Sequence, residues 1–449
     1  MTKIKSASVA GKFYSSDKNE LLAQLNSFEV NNSNDYKCST RVTIVPHAGY
    51  YYSGQLANNG IQYLNKKAKT VFIIAPTHYV PFDGLALSNY DKWSTTLGEV
   101  EVNQEANRDL IKNFAYCNYH NEAFADEHSA EVQVPFVQKY LPNAKIVPIL
   151  VGKIDYARVT ELIEQLWDDS GNVFIISSDL SHFYTSDKAK KIDDTTANMI
   201  ESNDVEKFSY EQACGAVGVC ALVNFAKEKE YSLIRVGLYN SGEATGDTSR
   251  VVGYGSWILY EGEKIKFLKD NFSKLLLDIC KKSILAGLEE KEPDIDRDSL
   301  PAVFNEDGAC FVTLEREGEL RGCIGSIVAH RPLIDDLIKN AYSSAFSDPR
   351  FSPLKKWEFE DLSIAISLLS APVKMTFKDE EDLLSQIKPN EDGIIIKDGI
   401  YHAVYLPSVW EQLPEKKIFL NSLKEKAGLL AYHFSKTFEA YRYTAEYVK

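Results

Sequence analysis

The stretches RVTIVPHAGY (41–50) and TVFIIAPTH (70–78) decide the reading of the amino-terminal half. Each opens as a short, unbroken apolar run rich in β-branched residues and ends in a histidine, His47 or His78. Such runs suit strands buried on both faces of a parallel or mixed sheet. KIVPILVG (145–152) and NVFIIS (172–177) repeat the pattern. Helical periodicity fills Gln55–Lys66, Glu131–Tyr140 and Tyr156–Trp167, and also Asp17–Phe28, where Asp17 and Glu20 have capping-box spacing. SLIRVGLY (232–239) and the alternating VVGYGSWILY (251–260) read as closing strands. The expectation is a three-layer α/β domain on a mixed, largely parallel sheet. Ligands of open α/β sheets bind outside the carboxyl ends of the strands. Two imidazoles delivered there by separate strands therefore suggest one pocket and a mononuclear metal site.

Length and composition set the frame. A chain of 449 residues points to two or three domains, and 44% hydrophobic with 25% charged residues is ordinary globular composition. Lys and Arg number 25 against 33 acids before Lys266, and 25 against 31 from there on, so neither half is basic. With no cationic cluster either, nucleic-acid binding is not expected. MTKIKSASVAGKFY lacks the apolar core of a signal peptide, and no apolar run approaches a bilayer span. The cysteines (38, 117, 214, 220, 280, 310, 323) are odd in number and scattered, which suits a reducing cytoplasm. A soluble cytoplasmic protein without membrane association is expected.

The pattern changes near residue 265. A long helical stretch, Phe267–Leu288, leads through a charged loop to two strands about Gly318. LSIAISLLS alternates from Leu362, and DGIIIKDGIYHAVYLP places Asp398-Gly399 between apolar runs, a strong hairpin signal. Helical patterns at Pro332–Phe346 and Lys416–Gly428 complete an α+β domain with an antiparallel sheet. The expected domains are 1–265 and 266–449.

Three further patterns in the first half carry chemistry. DEHSAE (126–131), with His128, opens a helix; SSDLSH (177–182), with Asp179 and His182, follows a strand; ACGAVG (213–218) puts Cys214 at a helix start, where a thiolate is favoured. Each has a plainer reading: a hydrogen-bonded histidine, a helix cap, a small buried thiol. Their coincidence along one sheet edge favours a metal or polar active site.

PHAGYYYSG, APTHYVPFDG, DEHSAEVQVPF, SSDLSHF and ACGAVGV, in this order, resemble the Memo family, called AmmeMemoRadiSam system protein B in prokaryotes. AGKFY and GDTSRVVGYGS extend the resemblance over roughly residues 5–260. The family is similar to class III extradiol dioxygenases of the LigB-type fold, which use non-haem ferrous iron. Carried over by motif, the resemblance implies metal ligands at His47, His78 and Cys214, with Asp179, His182 and His128 lining the pocket. His182 would exchange protons, oriented by Asp179, and His128 could do so from the opposite wall. A thiolate where oxygen-activating iron sites usually carry a carboxylate would also suit copper or zinc.

LRGCIGS (320–326), AFSDPRFSPL (345–354) and the LPSVWEQ…FLNSLKEKAGL stretch resemble the AMMECR family, AmmeMemoRadiSam system protein A, over roughly 268–449. Arg321 beside Cys323 could make a reactive thiol, but a tight strand connection at Gly322 and Gly325 with Cys323 in the core is the preferred reading. The shared system name implies a radical S-adenosylmethionine protein as partner. This chain has no CxxxCxxC motif of its own. The expected function is a non-haem iron oxidoreductase acting on an unidentified small molecule or peptide. A non-enzymatic metal-binding scaffold and a metallohydrolase are the alternatives.

Overall fold

A computed structural model of the chain describes residues 2–30 and 36–449. It divides into two compact units: Met1–Gly262 with Ser299–Val303, and Glu263–Asp298 with Phe304–Lys449.

The first unit is built on a nine-stranded mixed sheet. Val42–Val45, Asn172–Ser177, Thr70–Pro76 and Lys145–Val151 lie side by side and parallel at its centre. Val251–Tyr260 runs antiparallel to Val42–Val45, and Leu85–Leu87 antiparallel to Lys145–Val151. The central strands are buried along nearly their whole length because both faces are covered. Successive side chains point to opposite faces. Val71, Ile73, Ile146 and Ile175 thus pack with the helices Lys18–Val30, Tyr50–Ile61 and Val134–Tyr140. Phe72, Ile74, Val147 and Ile176 pack on the other side with Tyr156–Trp167 and Ala216–Glu228.

Local starts differ from expectation in instructive ways. The helix expected at Gln55–Lys66 runs Tyr50–Ile61, starting three residues after His47 behind the N-cap Gly49. YYYSG reads as strand or loop by propensity, but Tyr50 is anchored in the core by the bond from its hydroxyl to the Val132 carbonyl. At the first helix Asp17 accepts the Glu20 N–H as predicted, whereas the Glu20 carboxylate turns to Ser15 and leaves the capping box half made.

In the second unit, Ala309–Arg316 pairs antiparallel with Glu319–Gly325 and Leu362–Leu369, and Ala445–Val448 completes four strands. The helices Leu333–Phe346 and Lys264–Leu288 pack on this sheet, the latter broken at Phe272. A second four-stranded sheet holds the hairpin Gly393–Asp398/Tyr401–Tyr405, whose two-residue loop is Gly399-Ile400, one position later than the Asp-Gly signal suggested. Asp398 instead closes the strand and accepts from His433, Ser435 and Thr437.

LRGCIGS forms the second strand about Gly318, as expected, but not the tight connection expected at Gly322 and Gly325. Gly322 and Gly325 lie inside a strand, where a Cβ would stand 2.1 Å from the Ser344 carbonyl oxygen and 2.2 Å from the Phe311 ring. Close packing, not a turn, excludes side chains there. Cys323 is half-buried rather than in the core, with its thiol 3.2 Å from Thr313 Oγ1. Arg321 makes a paired contact with Glu358 at 2.9 and 3.2 Å, so its charge is engaged there.

Candidate metal centre

The carboxyl ends of three adjacent parallel strands create the site. Val42–Val45 ends two residues before His47, Thr70–Pro76 two before His78, and Asn172–Ser177 two before Asp179. Val45 pairs with Ser177 in register, which sets the first and third segments at one level. The segment before the short turn Glu131–Gln133 closes over them and brings His128.

Three imidazoles converge there. One donor atom each from His47, His78 and His128 lies within 4.8 Å of the others, the set of groups among the described residues that could hold a metal ion. The His78 and His128 rings stack at 4.7 Å, and His47 meets both edge-on. His47 is fully buried, while His78 reaches the pocket surface.

Hydrogen bonds fix which nitrogens face the centre. Ser177 Oγ donates to the Ser129 carbonyl at 2.7 Å, so it accepts at 3.0 Å from His47 Nδ1–H. His78 Nδ1–H donates to Glu127 Oε1 at 2.8 Å, and the His78 backbone N–H donates to Glu127 Oε2 at 2.6 Å. In both rings the Nε2 lone pair is left for a Lewis acid. Burial, followed by the neighbouring imidazoles, pushes His47 well below the ordinary histidine range, and burial pushes His128 down as well. Neutral imidazoles are what a metal requires. Glu127 is held down to about 2 despite burial, through its bonds with His78 and Ser129. The donor set and its anchoring fit a divalent metal.

The other expected residues surround this set. Cys214 Sγ is 3.2 Å from His47 Nε2, but only the imidazoles form the mutually close donor group. Burial, with the Asp179 charge adding to it, raises the thiol well above its usual range, so without a metal it stays protonated. Cys214 can stand here because Gly215 lets the helix Ala216–Glu228 approach closely: a Cβ would be 2.6 Å from the Ser177 carbonyl oxygen. Asp179 Oδ1 accepts the His47 backbone N–H at 2.8 Å, and Oδ2 lies 3.9 Å from His47 Nε2. Burial raises this carboxyl, offset by the His47 N–H and by His182. His182 sits outside the three-histidine set, close enough to Asp179 and His47 to act on their charges. Its neighbour Phe183 has φ +64, a left-handed conformation that costs a bulky residue about 1–3 kcal/mol.

A cavity of about 340 Å³ opens beside His78 and Cys214, walled also by Ser177, Tyr79, Phe82 and Val217; His47, His128, Asp179 and His182 are not among its walls. The sequence reading missed Glu127, Ser177 and Gln133. Gln133 Nε2 donates both to the Pro46 carbonyl and to Ser177 Oγ, fixing the serine that orients His47. Glu127 stood within a noticed motif, but only the fold shows that it reaches across to His78.

Residues 5–258 match the model of the Memo-like protein family, more than half of the chain. The chain belongs to the Memo-like protein family. Residues 277–448 match the AMMECR1 family, so this Memo-like protein is a fusion of the two. A MEMO1 family protein of Thermoplasma volcanium is 32% identical over 262 residues, spanning 56% of this chain and 97% of its own. Another from Aquifex aeolicus is 31% identical over 266 residues, spanning 56% and 97%. An uncharacterized protein from Pyrococcus horikoshii of known crystal structure is 32% identical, covering 39% of this chain and 89% of its own with a TM-score of 0.37. Among the described residues of the Memo-like fusion, no helix is long and apolar enough to cross a membrane.

Proposed function

We propose that the Memo-like unit is a mononuclear metal-dependent oxidoreductase using non-haem ferrous iron, on a fold akin to that of the class III extradiol dioxygenases. The observation that carries this reading is the convergence of His47, His78 and His128, with His47 and His78 turned by Ser177 and Glu127 to offer Nε2. Bound iron would supply a Lewis acid able to bind and activate oxygen. The protein's own groups do the rest. His47, His78 and His128 would hold the metal, with Cys214 beside His47 as a further donor. The apolar walls Phe82, Val151 and Val217 exclude water from a bound substrate. His182, close enough to Asp179 to act on its charge, would take up or deliver a proton, and the raised Asp179 carboxyl holds a proton more readily than an exposed one.

The test is anaerobic reconstitution with ferrous iron, metal analysis and oxygen-uptake measurement. One iron per chain is expected, lost in the His47→Ala and His78→Ala variants, with oxygen consumption that depends on it. A wild-type chain that stays folded and binds no iron sinks the reading. A set of neutral imidazoles is also what catalytic zinc sites use. Stoichiometric zinc without oxygen uptake would select a metallohydrolase instead. The AMMECR1 unit would shape substrate access or dock a radical S-adenosylmethionine partner, since fusion keeps the two units at high effective concentration.

A further inference from the structure

A second cavity, of about 300 Å³, lies against the Memo-like unit's helix Ser186–Glu201. Lys188, Lys191 and Thr195 reach it from one face of that helix, three and four residues apart. Tyr184 comes from the strand His182–Tyr184, and Ser209 and Gln212 from the loop that follows the helix. Both lysines are exposed, and neither makes an ion pair among the described residues. Lys188 Nζ stands 4.0 Å above the Tyr184 ring. Glu211 is the one acid on the wall. The wall thus carries two cations that make no ion pair among the described residues against one acid, with a tyrosine and several hydroxyl and amide groups beside them.

One segment contributes to the linings of both this cavity and the metal pocket. Ser209, Glu211 and Gln212 line the second cavity, while Tyr210 and Cys214 line the first. Successive Cα atoms are about 3.8 Å apart, so within residues 209–214 the two linings alternate over a few residues. In the strand His182–Tyr184, His182 is close enough to Asp179 to act on its charge, while Tyr184 lines the cationic cavity. The loop is tied to the helix where Gln212 Nε2 donates to Thr196 Oγ1 at 3.1 Å, and it accepts the Ser209 N–H through Gln212 Oε1 at 2.8 Å.

We propose that this groove is an anion-binding subsite, taking a phosphate or carboxylate group between Lys188 and Lys191, and that segment 209–214 couples its occupancy to the metal pocket. Ammonium groups bind phosphate as point charges, with hydroxyl and amide donors completing the shell. The anion is either the tail of a ligand whose apolar part enters the metal pocket or a separate effector. The subsite is independent of which metal or reaction the neighbouring pocket supports.

The experiment uses the full-length, metal-free chain, titrated by calorimetry with inorganic phosphate and with hexyl phosphate. Saturable binding is expected, weakened about tenfold or more in K188Q/K191Q, with the fold of the variant checked by circular dichroism. Tighter binding of hexyl phosphate assigns a ligand spanning both cavities, and equal binding assigns a separate effector. No saturation with either probe, or equal affinity in the double variant, overturns the subsite. Tyr210→Trp reports coupling: its emission should shift on adding phosphate, and an unchanged spectrum at saturation overturns the coupling.

Discussion

At the scale of single residues, the site depends on groups that touch the histidines rather than on the histidines alone. Glu127 accepts both the backbone N–H and Nδ1–H of His78, so Glu127→Gln should weaken metal affinity about 10–100-fold while leaving the fold intact. Competition against a chelator of known affinity measures it, and unchanged affinity would show that His78 orients itself. Cys214 poses a sharper question. Its thiol is protonated beside His47 Nε2 in the metal-free chain. If it ligates the metal it must lose that proton, since only the thiolate binds. Calorimetry in buffers of different ionisation enthalpy should then show about one proton more released on metal binding at pH 7 in the wild type than in Cys214→Ser. Equal release in both would leave the three imidazoles as the ligand set.

At the scale of elements, close approach and a buried ion pair set the frame that aims these residues. A Cβ on Gly60, inside the helix Tyr50–Ile61, would lie 2.4 Å from Thr43 Oγ1 and 2.5 Å from Ser256 Oγ. Gly60→Ala should therefore cost about 1–3 kcal/mol in denaturant unfolding, because helix and sheet must separate. The amino-terminal segment is fixed differently. Glu131 accepts from Lys5 Nζ at 2.6 Å, from the N–H groups of Ser8 and Val9, and from the Tyr14 hydroxyl. Glu131→Ala leaves a buried ammonium uncompensated and should cost about 3–5 kcal/mol at pH 7. Lys5 and these N–H groups outweigh burial and hold the Glu131 carboxyl below its ordinary range. Its stabilisation is therefore present above the unfolded-state value and is lost as pH falls from about 5. The gap between wild type and variant should narrow in acid, and a gap that widens would contradict the assignment.

At the scale of the whole molecule, the Memo-like and AMMECR1 units each contain hydrophobic core clusters of their own. A ligand that binds only the native state of one unit stabilises that unit by mass action, about 2.7 kcal/mol at a hundredfold excess over Kd. Calorimetric melting should resolve a transition that metal raises, and His47→Ala should abolish the rise without altering the melting of the AMMECR1 unit. A single transition raised as a whole would show that the two cores unfold together.

The β-branched runs at 42–45, 70–76, 145–151 and 172–177 were legible from sequence because burial on both faces leaves an unbroken apolar signature in a short strand. His47 and His78 were legible with them, since they follow strand ends whose direction the fold class dictates. The start of the helix at Tyr50 was not, because its tyrosines are held by tertiary packing against local propensity. LRGCIGS was legible as a strand, but its glycines were misread for a related reason: glycine serves both turns and close approach, and only the Ser344 carbonyl and the Phe311 ring distinguish them. Sequence by itself thus determined the strands, the two-part organisation and the residue types brought to one sheet edge, all consequences of periodicity and of chain direction. Tertiary structure alone decided that His128 joins His47 and His78, and that Ser177 and Glu127 turn the imidazoles of His47 and His78 inward. Those contacts join segments 49 to 130 residues apart, and no local pattern encodes the angle at which two distant segments meet.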